Sequence, residues 1–207
     1  MTPRQRVLAA LRHEEVDEIP WIEGITGNGI ATGLCGEPVN VEWSVAPDGF
    51  PNMPGDRLAE EQKKANRVLG KANLQFCAFA PVFCQRIRKA DDGSPILVGD
   101  GLIKTRRDFE QIFRLPSPTD RRFVACAREF IASKEDYCAC ACVRLGIGAT
   151  LLSMGIEAFS YAMVDDPQLI RDVHDAYADW TAAVVPVMEE IGFDVIWAFD
   201  DVAFNSG

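Results

Sequence analysis

Residues 166–201 read DPQLIRDVHDAYADWTAAVVPVMEEIGFDVIWAFDD, and this stretch decides the fold class. Asp166 is placed to cap a helix and Pro167 to begin it, because the missing N–H of a proline costs nothing at the first helical position. Leu169, Ile170, Val173, Tyr177, Trp180, Val184, Val187, Met188 and Ile191 recur at the helical period and predict one apolar face. Pro186 lies off that face, which predicts a kink and not a break. Gly192 ends the helix, and FDVIWAF follows as a short apolar strand running into Asp200 and Asp201. An amphipathic helix feeding a continuously apolar strand is the repeating unit of a parallel sheet covered by helices.

The same alternation extends back towards the N-terminus. YCACACVRLG (137–146) reads as a core strand, and GATLLSMGIEAFSYAM (148–163) as the helix behind it. Residues 106–135 are helical with an interruption at Pro116 and Pro118. LQFCAFAPVF (74–83) is a further buried strand, and residues 84–105 form an inserted hairpin turning at Asp92-Gly93. A polar helix over 57–70 is opened by Asp56 and closed by Gly70. Residues 26–56 are dense in glycine, proline and asparagine, lack a helical period and read as one long loop. Ahead of it, IPWIEGI (19–25) has the look of a first strand. Thr2, Pro3 and Gln5 form a capping box that starts a helix running to about His13. Four core parallel strands are half of an eight-stranded barrel, and a typical barrel takes about 250 residues. The expectation is therefore α/β: residues 1–207 as a single domain, the N-terminal portion of an incomplete TIM (β/α)8 barrel.

Composition narrows the function classes. The 207 residues carry a net charge of −10, which disfavours general attraction to nucleic acid or to an anionic membrane. Charge appears at once in MTPRQRVLAALRHEE, and no run of eighteen apolar residues follows, so a cytoplasmic chain is expected. Seven cysteines, an odd number set within apolar segments, suggest reduced thiols and no disulfide framework.

The opening TPRQRVLAALRHEEVDEIPW, the segment YAMVDDPQLIRDVHDAY and the closing GFDVIWAFDDVAFNSG together resemble the uroporphyrinogen decarboxylase superfamily, including its corrinoid-dependent methyltransferase branch. The resemblance implies a TIM barrel with its cleft at the C-terminal ends of the strands. Decarboxylases of the family carry an arginine-rich signature of the form RQAGRY after the first strand. Here that region reads EGITGNGI (23–30) and holds no arginine. A polycarboxylate substrate needs cationic partners, so the methyltransferase branch is the better match. The activity it implies is methyl transfer between a corrinoid protein and a thiol or other small acceptor. The alternatives are a uroporphyrinogen decarboxylase-like lyase of porphyrin biosynthesis, and a catalytically inactive truncated fragment or assembly partner that self-associates through exposed barrel edges.

For a full-length methyltransferase relative the resemblance also implies zinc, held by a His-x-Cys pair and a later Cys in the second half of the barrel. His13 precedes Glu14-Glu15 and His174 precedes Asp175-Ala176, so neither opens that motif, and no cofactor is expected on this chain alone. Cys138, Cys140 and Cys142 share one strand face. Their outer pair is about 13 Å apart, too far for one ion to hold all three, so no metal ligands are assigned. The candidate catalytic residues are Asp201 and Asp200, at the end of a strand, where a carboxylate orients substrate or moves a proton. A helix-capping or loop-organising aspartate is the plain alternative. Glu23, Arg144 and Asn205 are candidates for substrate binding, Arg144 through a carboxylate or phosphate. Glu23 and Arg144 have equally simple readings, as a solvated loop carboxylate and a structural salt bridge.

Overall fold

The computed structural model describes residues 1–23, 27–41, 53–78, 84–89 and 95–200. Helix α1 (Pro3–Leu11) starts at Thr2, whose side chain and that of Gln5 complete the expected capping box. Then come α2 (Asn28–Cys35), α3 (Gly55–Leu69), strand β1 (Asn73–Cys77), the hairpin β2 (Arg86–Lys89) and β3 (Pro95–Val98), α4 (Arg106–Ile112) and α5 (Arg121–Ala132). The chain continues with β4 (Cys138–Val143), α6 (Ile147–Met154), α7 (Ile156–Asp165), α8 (Pro167–Ile191) and β5 (Val195–Ala198). Strands β1, β4 and β5 form a parallel sheet in the order β1-β4-β5, and β2 pairs antiparallel with β3. The result is a partial α/β fold.

Three elements differ from the sequence reading. Among the described residues the parallel sheet has three strands, not four, and residues 19–23 are not a strand. That segment meets the foot of β1, where Ala72 N–H donates to the Trp21 carbonyl and the Asn73 side chain bonds Glu23. Further along the same edge, side chains of α3 take the backbone groups. Gln62 donates to the Gln75 carbonyl at 2.8 Å and accepts from its N–H at 2.7 Å, while Asn66 donates to the Asn73 carbonyl at 2.8 Å. The supposed loop contains α2, whose eight residues are too few to show a period. The helix expected over 148–163 is two helices bent by 103° at Gly155.

The sheet's two faces have different partners. Leu74, Phe76, Ala139, Ala141 and Val143 meet α3, α5 and α8 in the main core. There Phe76 lies 5.7, 5.4 and 5.5 Å from the rings of Phe123, Phe130 and Phe193. The register puts Asn73, Gln75, Cys77, Cys138, Cys140, Cys142, Val195 and Trp197 on the opposite face, where Val7 of α1 packs. Helix α8 buries Leu169, Val173, Tyr177, Trp180, Val184, Met188 and Ile191 as its periodicity predicts, and Pro186 stays within it. Among the described residues strand β5 has one strand neighbour, and it is only half covered, with Ile196 38% exposed. Among the described residues no helix is long and apolar enough to cross a membrane alone.

Candidate functional site

In a parallel α/β sheet the loops leaving the C-terminal strand ends collect side chains from several elements. Here that end is built from the residues after β4 and β5. Phe199 N–H continues the ladder to the Val143 carbonyl at 2.8 Å, which delivers Asp200 beside the start of α6. The Asp200 carboxylate accepts from Gly146 N–H at 2.9 Å and from Gly148 N–H at 2.8 Å. It therefore satisfies two of the otherwise orphaned donors at this helix start and sits at the positive end of the helix dipole. Gly146 adopts φ +120°, which disfavours any side chain, and a Cβ at Gly148 would lie 2.6 Å from Asp200 Oδ1.

Arg144 leaves the end of β4 half-buried. Its carbonyl accepts from Thr181 Oγ1 on α8 at 2.6 Å, fixing the backbone, and its guanidinium lies 5.4 Å from the Phe199 ring centroid. That distance suits a cation–π contact. The positive charge is felt at Cys77, on the end of β1, and at Tyr177 on α8. Burial dominates at both groups. It drives the Cys77 thiol well above the ordinary range and pushes the Tyr177 hydroxyl up to about 12, although Ser153, 2.8 Å from that hydroxyl, acts in the other direction. Neither is a nucleophile at neutral pH.

The structure thus brings Asp200 and Arg144 to one rim. Glu23 lies elsewhere: its N–H and carbonyl bond the Asn73 side chain, both at 3.2 Å, at the start of β1, and its carboxylate is 4.0 Å from Lys71 Nζ. Asp201 and Asn205 lie outside the described residues. His174 sits against Gly146, where a Cβ would approach its ring to 3.3 Å. Phe199 and Tyr177 read as strand and core residues in the sequence. The Gly146-Ile147-Gly148 pair ahead of a helix was the available signal for an anion-accepting turn.

A separate cavity of about 480 Å³ lies between α4, α7 and the start of α8, near Lys104, Arg106, Glu157 and Tyr161. Its cations are engaged with neighbouring carboxylates, Lys104 with Asp100 and Arg106 with Asp166 at 3.0 Å and Asp172 at 2.5 Å.

No protein-family model matches the chain, and no curated protein matches it. Among solved structures, a methyltransferase from Methanosarcina mazei superposes with a TM-score of 0.66 at 16% identity. The two share a fold. The match covers 95% of this chain and 58% of that one, so this chain spans somewhat over half the length of its structural neighbour.

Proposed function

We propose that this chain is the first part of a methyltransferase-type (β/α)8 barrel of the uroporphyrinogen decarboxylase superfamily, acting in methyl transfer between a corrinoid protein and a thiol or other small acceptor. The observation that carries the reading is the fold shared with a methyltransferase along 95% of the chain. The family-like segments at both ends of the sequence and the absence of arginine from residues 23–30 support the same branch.

In this reading the rim after β4 and β5 faces the acceptor. Arg144 holds an anionic group of the acceptor, with Phe199 stacked beside its guanidinium. Asp200 organises the turn into α6, and Asp201 is the carboxylate left for orienting substrate or moving a proton. Among the described residues no group of three or more His, Cys, Asp or Glu is arranged to hold a metal ion, and neither His13 nor His174 opens the His-x-Cys pair that the family's zinc implies. No step is therefore assigned to it here.

The test is methyl transfer from a methylated corrinoid protein to small thiols by a longer protein containing this chain, followed through the cobalt absorbance. Arg144→Gln is expected to raise KM for an anionic acceptor about tenfold or more, with a smaller change in kcat. Absence of transfer to every thiol tried would remove the proposal. Tight porphyrin binding in an absorbance titration would favour the lyase reading instead.

A further inference from the structure

Helix α7 packs against α6 and α8, and its inward side brings Phe159 and Ala162 to the cluster around Leu169 and Tyr177. Its outward side carries Ile156, Met163 and Val164, which are 74%, 58% and 83% exposed. Ser160 lies between them, its hydroxyl turned back to the Ile156 carbonyl at 2.7 Å. At the helical period these residues form one stripe. Glu157, Tyr161 and Asp165 form the next stripe round and line the cavity of about 480 Å³. Lys104 and Arg106, the cations of that cavity, are already bound to Asp100, Asp166 and Asp172. Among the described residues Glu157 and Asp165 have no cationic partner, and Tyr161 between them is 64% exposed.

We infer that α7 is the docking surface for a basic amphipathic helix of a partner protein. The partner's apolar face covers Ile156, Met163 and Val164, and one of its lysines or arginines enters the cavity beside Tyr161. Large apolar side chains gathered on one stripe differ from the scattered exposure normal to a surface, and Ser160 lets a second helix come close at its middle. Charge complementarity sets the sign of the partner. An inserted lysine or arginine lays its methylenes on Ala158 and Ala162 and its cation between Glu157 and Asp165, with the Tyr161 ring as a further attraction. A second copy of this chain is a poor occupant, because α7 paired with itself in either direction sets carboxylates against carboxylates. An anionic membrane meets the same repulsion. The surface begins at the end of α6 remote from Asp200 and does not rest on the activity proposed above.

The probe is a labelled helical peptide of leucine and lysine, its lysines flanking one apolar face, titrated with the chain and followed by fluorescence anisotropy. One saturable site is expected, and a leucine–glutamate peptide of the same pattern is expected not to bind. Val164→Lys weakens binding about tenfold or more, as does Glu157→Gln combined with Asp165→Asn. A photoreactive leucine in the lysine peptide reads the site on the unaltered chain, and its crosslink is expected within residues 156–165. Equal affinity for the two peptides, wild-type affinity in either variant, or a crosslink elsewhere overturns the proposal. So does a dimer that Val164→Lys dissolves, binding to anionic vesicles through α7, or a longer protein containing this chain that no longer takes the peptide, since each names a different occupant.

Discussion

At Gly148 a single added carbon separates a sound rim from a broken one. A Cβ there falls 2.6 Å from Asp200 Oδ1, so Gly148→Ala is expected to push the carboxylate off the α6 start and cost about 1–3 kcal/mol. The check is a double-mutant cycle by urea unfolding. If the clash is the cause, Gly148→Ala costs distinctly less in an Asp200→Ala background, because the group it strikes has gone. This scale also shows the limits of sequence. Asp200 was visible as a strand-end carboxylate, and capping stood as its alternative. The identity of its donors depended on two N–H groups in one turn, 54 and 52 residues away, which no local pattern encodes.

Among elements, α8 was legible because its cap, its apolar stripe and its closing glycine all agree, and Pro167–Ile191 follows from them. Helix α3 was legible as a polar helix, but the work of its polar residues was not. Gln62 and Asn66 are buried and serve the edge of β1 as a strand's backbone would. Gln62→Leu strands both backbone groups of Gln75 and is expected to cost about 1–3 kcal/mol for each group left unsatisfied. Amide hydrogen exchange at Gln75 is expected to accelerate by at least tenfold, and an unchanged rate would show that the clamp does not hold the edge.

The foot of the sheet is tied by Asp194. Burial alone would raise its pKa, yet the Ala139 N–H at 2.9 Å, Arg4 at 2.7 Å and Lys134 at 3.2 Å outweigh that and hold the carboxyl below its ordinary value. A carboxyl more acidic in the folded chain stabilises it above about pH 4, and the benefit drains away as pH falls through the folded value. Asp194→Asn is expected to lower stability by about 2–3 kcal/mol at neutral pH. The gap between wild type and variant in urea unfolding should narrow on acidification towards pH 3. A gap that stayed constant with pH would argue that the charge is immaterial.

For the whole molecule, the parallel alternation of helices and strands was readable and the number of paired strands was not. On the edge of β1 away from β4, side chains of α3 take backbone groups of Asn73 and Gln75, a tertiary event invisible to periodicity. The hairpin strands β2 and β3 were found as expected, while their turn lies outside the described residues. Among the described residues no strand pairs with the outer edge of β5, and Ile196 and Phe199 are 38% and 49% exposed beside it. An open, apolar edge invites association. The isolated chain is expected to self-associate at micromolar concentration in light scattering, and Ile196→Lys to return it to a monomer.

The amide clamp bears on how far such association can go. A sheet open at both margins can stack copies head to tail without limit, whereas among the described residues α3 side chains occupy part of the β1 margin and leave β5 as the more open one. Copies that meet through it must meet like with like, a twofold arrangement that closes upon itself. With Gln62 and Asn66 set against the opposite margin, association through β5 is expected to end at a pair, and a species growing beyond a dimer in light scattering would count against the clamp.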